Sequence, residues 1–166
     1  MKIISAEVKN LEPINTIAIT HVGDYSGIAG VFDKLAAWAG ANNLLSAAPR
    51  MAGVYHDDPK QTPANELRSE ACLENLSGIE PAEGMIRYEI TGGKYFVMQM
   101  EIAMSEYTSA WEKAYSAFFE KGYEFDSRDH YELYVSFAGD TQSVEADSCS
   151  ENPDASWVVD LCIAMK

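Results

Sequence analysis

In the stretch HYELYVS, residues 130–136, Glu132 and Tyr134 stand two positions apart. Successive side chains of a strand point to opposite faces. A strand here would put His130, Glu132, Tyr134 and Ser136 on one face, and Tyr131, Leu133, Val135 and Phe137 on the other. The second set is the apolar, core-like one. The first places a carboxylate among aromatic rings, an arrangement that attracts flat apolar cations through charge and through the ring faces. The plainer reading of Glu132 is a solvated glutamate on an edge strand. A second aromatic strand end, RMAGVYH at 50–56, puts Met51, Gly53 and Tyr55 on one face and runs directly into His56, Asp57, Asp58 and Pro59.

His56, Asp57 and Asp58 are metal-ligand types. Three consecutive residues rarely converge on one ion, because neighbours point apart. No second histidine-rich cluster completes a set. Asp-Asp-Pro more simply accepts loop N–H groups and starts a turn, so no metal is expected. The chain carries no Ser-His-Asp triad, P-loop or Rossmann glycine motif, and no cofactor is expected. Tyr95, Trp111 and Trp38 are further aromatic candidates. Trp38 and Trp111 fall on helix stripes, which are more often plain core than a binding wall.

These residues need elements to hold them. INTIAITHV at 14–22 reads as a β-branched strand. Within 25–43, Ile28, Val31, Phe32, Leu35, Trp38 and Ala39 fall on one helical face, with Ser26 as N-cap and Asn42-Asn43 as the end. Residues 50–56 and 66–74 read as a strand pair, and 77–84 as a turn-rich connector. Segments 85–91 and 94–104 flank Gly92-Gly93, a hairpin signal. A second helix is expected over 105–122, capped by Ser105, ended by Gly122, and striped with Tyr107, Ala110, Trp111, Ala114 and Phe118. Strands at 130–137 and 156–165 close the chain, separated by a polar, acidic stretch read as a mobile surface loop.

The order strand, helix, strand, strand therefore occurs twice. Sliding the chain so that Tyr55 falls on Tyr134 also sets Phe32 on Trp111, Leu35 on Ala114 and Gly53 on Glu132. The expected fold is α+β, a single domain over 1–166 made of duplicated βαββ units with pseudo-two-fold symmetry and antiparallel sheets. The repeats should span about 1–76 and 85–166, with two main helices and a central ligand cleft. That cleft would receive a tyrosine from each half, Tyr55 and Tyr134, but a carboxylate from only one.

Length and composition agree with one domain. The chain has 166 residues, 47% of them hydrophobic, and a formal charge of −14. So acidic a chain lacks the basic footprint of a DNA or RNA binder, and it is equally unsuited to an anionic membrane surface. Cys72, Cys149 and Cys162 form neither a disulfide framework nor a zinc site. With no signal peptide and no membrane span, the expected location is the cytoplasm.

VYHDDPKQTPANELRSEACL at 54–73, ITGGKYFVMQ at 90–99 and HYELYV at 130–135 together resemble the GyrI-like family, the gyrase-inhibitor and AraC-type effector-binding group. The resemblance covers nearly the whole chain and departs from the family at the acidic insertion, 139–155. It implies a duplicated βαββ fold, and with no helix-turn-helix segment present it implies a stand-alone member. It also implies that Glu132 lies in the cleft and meets small apolar or cationic ligands among aromatic side chains. Two further activities are implied by particular family members. One is hydrolysis of cyclopropane-bearing alkylating natural products, in which Glu132 would assist water attack and Tyr134 or Tyr55 would orient the leaving group. The other is inhibition of DNA gyrase, with the enzyme as protein partner.

Overall fold

The computed structural model describes residues 1–137 and 156–166, with the backbone alone at 136 and 137. The acidic insertion, Cys149 and the side chains of Ser136 and Phe137 lie outside the described residues. The strands are β1 (Lys2–Leu11), β2 (Ile14–Val22), β3 (Met51–Tyr55), β4 (Arg68–Glu74), β5 (Ile86–Ile90), β6 (Gly93–Ala103), β7 (His130–Phe137) and β8 (Ser156–Ala164). Helix α1 (Ile28–Ala41) follows β2, and α2 (Tyr107–Glu120) follows β6.

Among the described residues two units emerge, one over Ile14–Ile90 and one joining Met1–Pro13 to 91–137 and 156–166. Each contains the order strand, helix, strand, strand. In the first unit the strands lie β3-β4-β2-β5, and in the second β1-β6-β8-β7, with antiparallel pairings throughout. The internal registers correspond as well. Thr20 opposes Glu70 between β2 and β4, and Gln99 opposes Asp160 between β6 and β8. Each pair is also hydrogen-bonded, Thr20 Oγ1 to Glu70 at 2.8 Å and Gln99 Nε2 to Asp160 at 2.9 Å.

Three local expectations are corrected. Gly92-Gly93 does not turn a hairpin: β5 pairs with β2, and β6 pairs with β1 and β8. Gly93 instead has φ +134°, and a Cβ there would stand 2.1 Å from Arg128 Nη1. The glycine admits a guanidinium rather than reversing the chain. Residues 2–11, read as no element, form β1, whose side chains are mostly exposed and so carry little of the alternation by which a strand is recognised. Both helices start later than expected, behind 3-10 turns at Tyr25–Gly27 and Met104–Glu106. Asp24, not Ser26, caps the first turn by accepting from Ser26 N at 2.8 Å, and Glu106 accepts from Ala103 N at 2.9 Å. Gly122 ends α2 in the left-handed region, at φ +72°.

The core of the second unit explains where its polar side chains can go. Phe96, Met98, Met100 and Ile102 of β6 and Val159, Leu161 and Ile163 of β8 pack under Ala110, Ala114 and Phe118 of α2. The two alanines let the helix approach the sheet closely. Each large side chain so buried stabilises the fold by ~1.5–3 kcal/mol. In the first unit Ile28, Phe32, Leu35 and Ala39 form the buried stripe of α1. Cys72 and Cys162 are free and buried, and burial pushes the Cys72 thiol up to about 12 and raises Cys162 as well. Neither thiol is available as a nucleophile at neutral pH. Among the described residues, no helix is long and apolar enough to cross a membrane.

Candidate functional site

Glu132 opposes Leu161 across the β7–β8 pair, and Tyr134 opposes Val159. Directly opposed residues share a face, and Val159 and Leu161 belong to the core beneath α2. The Glu132 face of β7 is therefore the helix-covered one. The sequence pattern pointed instead to Tyr131, Leu133 and Val135 as the core side. Apolarity misled because at the start of the strand both sides are buried, Glu132 and Tyr131 each 1% exposed, while Val135 on the Tyr131 side is 51% exposed.

A carboxylate with that burial costs several kcal/mol to desolvate and demands strong partners. The Tyr134 hydroxyl donates to Glu132 Oε1 at 2.7 Å, a short bond that a carboxylate acceptor strengthens. The Tyr134 ring meets Trp157 edge-on at 5.8 Å and 78°. Trp111 stacks on Tyr115 at 5.5 Å and 29°. Tyr134, Trp157, Trp111 and Tyr115 all pack half-buried on the core of this unit. The buried carboxyl and these rings lie on the same helix-covered side of the unit, in surroundings of low polarity.

His130 stands on the same face. Its Nδ1 lies 2.9 Å from the Tyr115 hydroxyl, and its ring stacks obliquely on Phe125 at 5.1 Å. Burial pushes its imidazole down to about 4, against the opposing pull of Asp129. The folded protein therefore holds His130 neutral where the unfolded chain, titrating near 6.5, would already be protonated. Below pH 6.5 the unfolded state binds the extra proton, so stability present above that pH is lost as the pH falls toward 4. The depression corresponds to about 3 kcal/mol. Urea unfolding of wild type and His130→Gln at a series of pH values should show the wild-type advantage shrinking between pH 6.5 and 4.5. A constant difference across that range would contradict a buried neutral imidazole.

Tyr95 is on the face of β6 opposite to Phe96, hence away from Glu132. It is anchored there: its hydroxyl donates to Thr91 O at 2.7 Å, the Tyr131 ring is 5.4 Å away, and the Arg128 guanidinium lies 4.7 Å over its ring. Tyr55 and Trp38 belong to the Ile14–Ile90 unit. Tyr55 meets Tyr25 edge-on at 4.8 Å. Trp38 is half-buried on α1, and its carbonyl accepts from Asn42 Nδ2 at 2.9 Å.

The His-Asp-Asp stretch disperses. Asp57 accepts from Arg68 N at 2.8 Å and from its Nη2 at 2.8 Å, which holds the Asp57 carboxyl below the usual range. Asp58 accepts from Lys60 N at 2.8 Å and Gln61 Nε2 at 3.2 Å, folding the loop on itself. His56 Nε2 turns to Glu70 Oε1 at 3.4 Å. Glu70, only 6% exposed, gives the first unit a buried carboxylate that sequence reasoning missed. Register places it opposite Val54, on the face away from Tyr55. Trp157 was also missed, though its alternation with Val159 and Leu161 in SWVVDLCIA was readable.

The model of the GyrI-like small molecule binding domain matches residues 5–166. A protein named DNA gyrase inhibitor from Pectobacterium carotovorum subsp. carotovorum (strain PC1) is 28% identical over 124 residues, covering 72% of this chain and 79% of the relative. The C-terminal domain of EcmrR superposes with a TM-score of 0.69 at 15% identity, over 100% of this chain and 99% of that domain. In an EcmrR–DNA complex the chain spans 57% of the matched EcmrR chain. SAV2435, in a structure bound to tetraphenylphosphonium, superposes with a TM-score of 0.62 at 13% identity, over 98% of this chain and 94% of that one.

Proposed function

The chain belongs to the GyrI-like small-molecule-binding family, and from that premise we propose that it binds a bulky, aromatic cation against Glu132. The single observation that carries this reading is a carboxylate 1% exposed that accepts from the Tyr134 hydroxyl, on the helix-covered side of the unit on whose core Trp157 and the α2 aromatics also pack. A ligand cation in contact with Glu132 gains an attraction far stronger than in water. The rings add cation–π terms of ~0.5–2 kcal/mol each. The tetraphenylphosphonium on a protein of the same fold supports a ligand of this shape and charge. The −14 net charge favours the approach of cations over anions.

Titrating the protein with tetraphenylphosphonium and with neutral triphenylphosphine oxide tests the reading. Saturable quenching of tryptophan fluorescence at one equivalent, with the cation at least about tenfold tighter, is the expected outcome. Equal affinities, or no saturable binding, would refute it. Incubation with a cyclopropane-bearing alkylating agent should give binding without multiple turnover, and ring-opened product over many turnovers would make Glu132 a general base instead. A second reading, action on DNA gyrase with the cytoplasmic location such a partner requires, is favoured by the name and 28% identity of the curated relative. Its mark would be loss of supercoiling activity on adding the protein to gyrase.

A further inference from the structure

Among the described residues β1 pairs with β6 alone, at one end of the order β1-β6-β8-β7. Its outer edge therefore offers backbone N–H and C=O groups to a further strand, the condition under which a sheet edge recruits another chain. A bulge interrupts the register between Ile3 and Ser5. From Ser5 to Leu11 the register against β6 runs without a break, Ser5 opposite Gln99 and Leu11 opposite Gly93.

That regular stretch, SAEVKNL, has Val8 at its centre, flanked by Glu7 and Lys9. A two-fold axis through Val8 exchanges the two charged positions. A second copy running antiparallel about that axis would set Glu7 opposite Lys9, Lys9 opposite Glu7, Val8 opposite Val8, Ala6 opposite Asn10 and Ser5 opposite Leu11. No like charges meet. Whichever alternate set of backbone groups points outward, an antiparallel partner in this register pairs it. Glu7 and Lys9 already share a face within one chain, 3.2 Å apart, with side chains 56% and 37% exposed. Two copies would make a square of four charges in which every neighbour, along or across the strands, is of opposite sign. On the other face Val8, 40% exposed, opposes Phe96 at the rim of the core beneath α2. A facing valine would cover it.

We propose that β1 is a dimerisation edge, at which two copies of this chain join by antiparallel pairing of Ser5–Leu11 about Val8. Lysine on an edge strand ordinarily discourages pairing. Here its charge is answered by Glu7 of the second copy, so the same residues that repel a foreign strand select this one. The contact is isologous and closes at two chains. Glu132 lies on β7, at the opposite end of the β1-β6-β8-β7 order, so the dimer and the cation site are independent.

Sedimentation equilibrium tests the proposal. One strand pair is a small interface, so wild type should pass from monomer toward dimer between about 10 and 500 µM. In Lys9→Glu the two opposed pairs become anionic, and in Glu7→Lys they become cationic. Each variant alone should associate at least about tenfold more weakly than wild type, with its melting temperature at low concentration unchanged. Mixing the two variants should restore association, as a heterodimer, because every opposed pair is again of opposite sign. The double variant Glu7→Lys/Lys9→Glu should dimerise as wild type does. Glu132→Gln should also dimerise normally, so that failure of this interface and failure of the cation site are read separately. The inference is overturned if wild type stays monomeric throughout, if its mass rises past two chains, if either single variant associates as well as wild type, or if neither the mixture nor the double variant recovers.

Discussion

Replacing Arg128 with alanine should destabilise the protein by about 3 kcal/mol, a melting-temperature loss on the order of 10 °C for a chain of this size. The Arg128 guanidinium gathers three backbone acceptors. Nη1 donates to Gly92 O at 3.0 Å, and Nη2 donates to Lys94 O at 2.9 Å and Met165 O at 3.0 Å. Nε lies 3.3 Å from Asp126 Oδ1, and the guanidinium covers the Tyr95 ring at 4.7 Å. These bonds tie the start of β6 to the end of the chain. Truncation removes the arginine donor from three carbonyls, two of them at part-buried bonds, while Lys94 O keeps the Met165 N–H, and each lost bond costs ~1 kcal/mol. Arg128→Lys should recover under half of the loss, since one ammonium cannot span three carbonyls and a carboxylate in the planar fork's geometry. Thermal unfolding of the two variants decides the matter. A loss below about 1 kcal/mol for alanine, or full rescue by lysine, would show that the clamp is not stabilising.

Arg128 also marks where the sequence stopped being legible. In EFDSRDH it reads as a loop residue among acids, and its partners lie some 35 positions away in β6 and at the C-terminus. Long-range backbone acceptors leave no periodic signal. The Gly92-Gly93 pair misled for the same reason, because its glycines serve strand approach and the arginine rather than a turn.

The helices, by contrast, were plain, since the stripes Ile28-Phe32-Leu35-Ala39 and Ala110-Ala114-Phe118 recur at helical spacing and are the buried ones. The slide that sets Tyr55 on Tyr134 also sets Thr20 on Gln99 and α1 on α2, and these occupy corresponding places in their units. Of the candidate residues, Glu132, Tyr134 and Trp111 share the α2 side of one unit, whereas Tyr95 does not. Alternation placed Tyr95 on a strand but could not say which face the helix would cover. The inverted assignment of the β7 faces has that origin too, because around Tyr131 and Glu132 the strand is buried on both sides.

The central claim concerns the charge of Glu132. Glu132→Gln keeps the length of the side chain and an oxygen to accept from the Tyr134 hydroxyl, but removes the buried anion. Stability should hold or rise, because a desolvated carboxylate is costly to fold. Cation binding should fall by ~1–3 kcal/mol, a factor of about 10–100, while a neutral molecule of similar shape should change less than about threefold. The most direct measurement is isothermal titration of wild type and Glu132→Gln with tetraphenylphosphonium and with triphenylphosphine oxide under one buffer. A loss confined to the cation, in a variant that melts no lower than wild type, is the predicted result. Equal losses for both molecules, or undiminished binding of the cation, would contradict it.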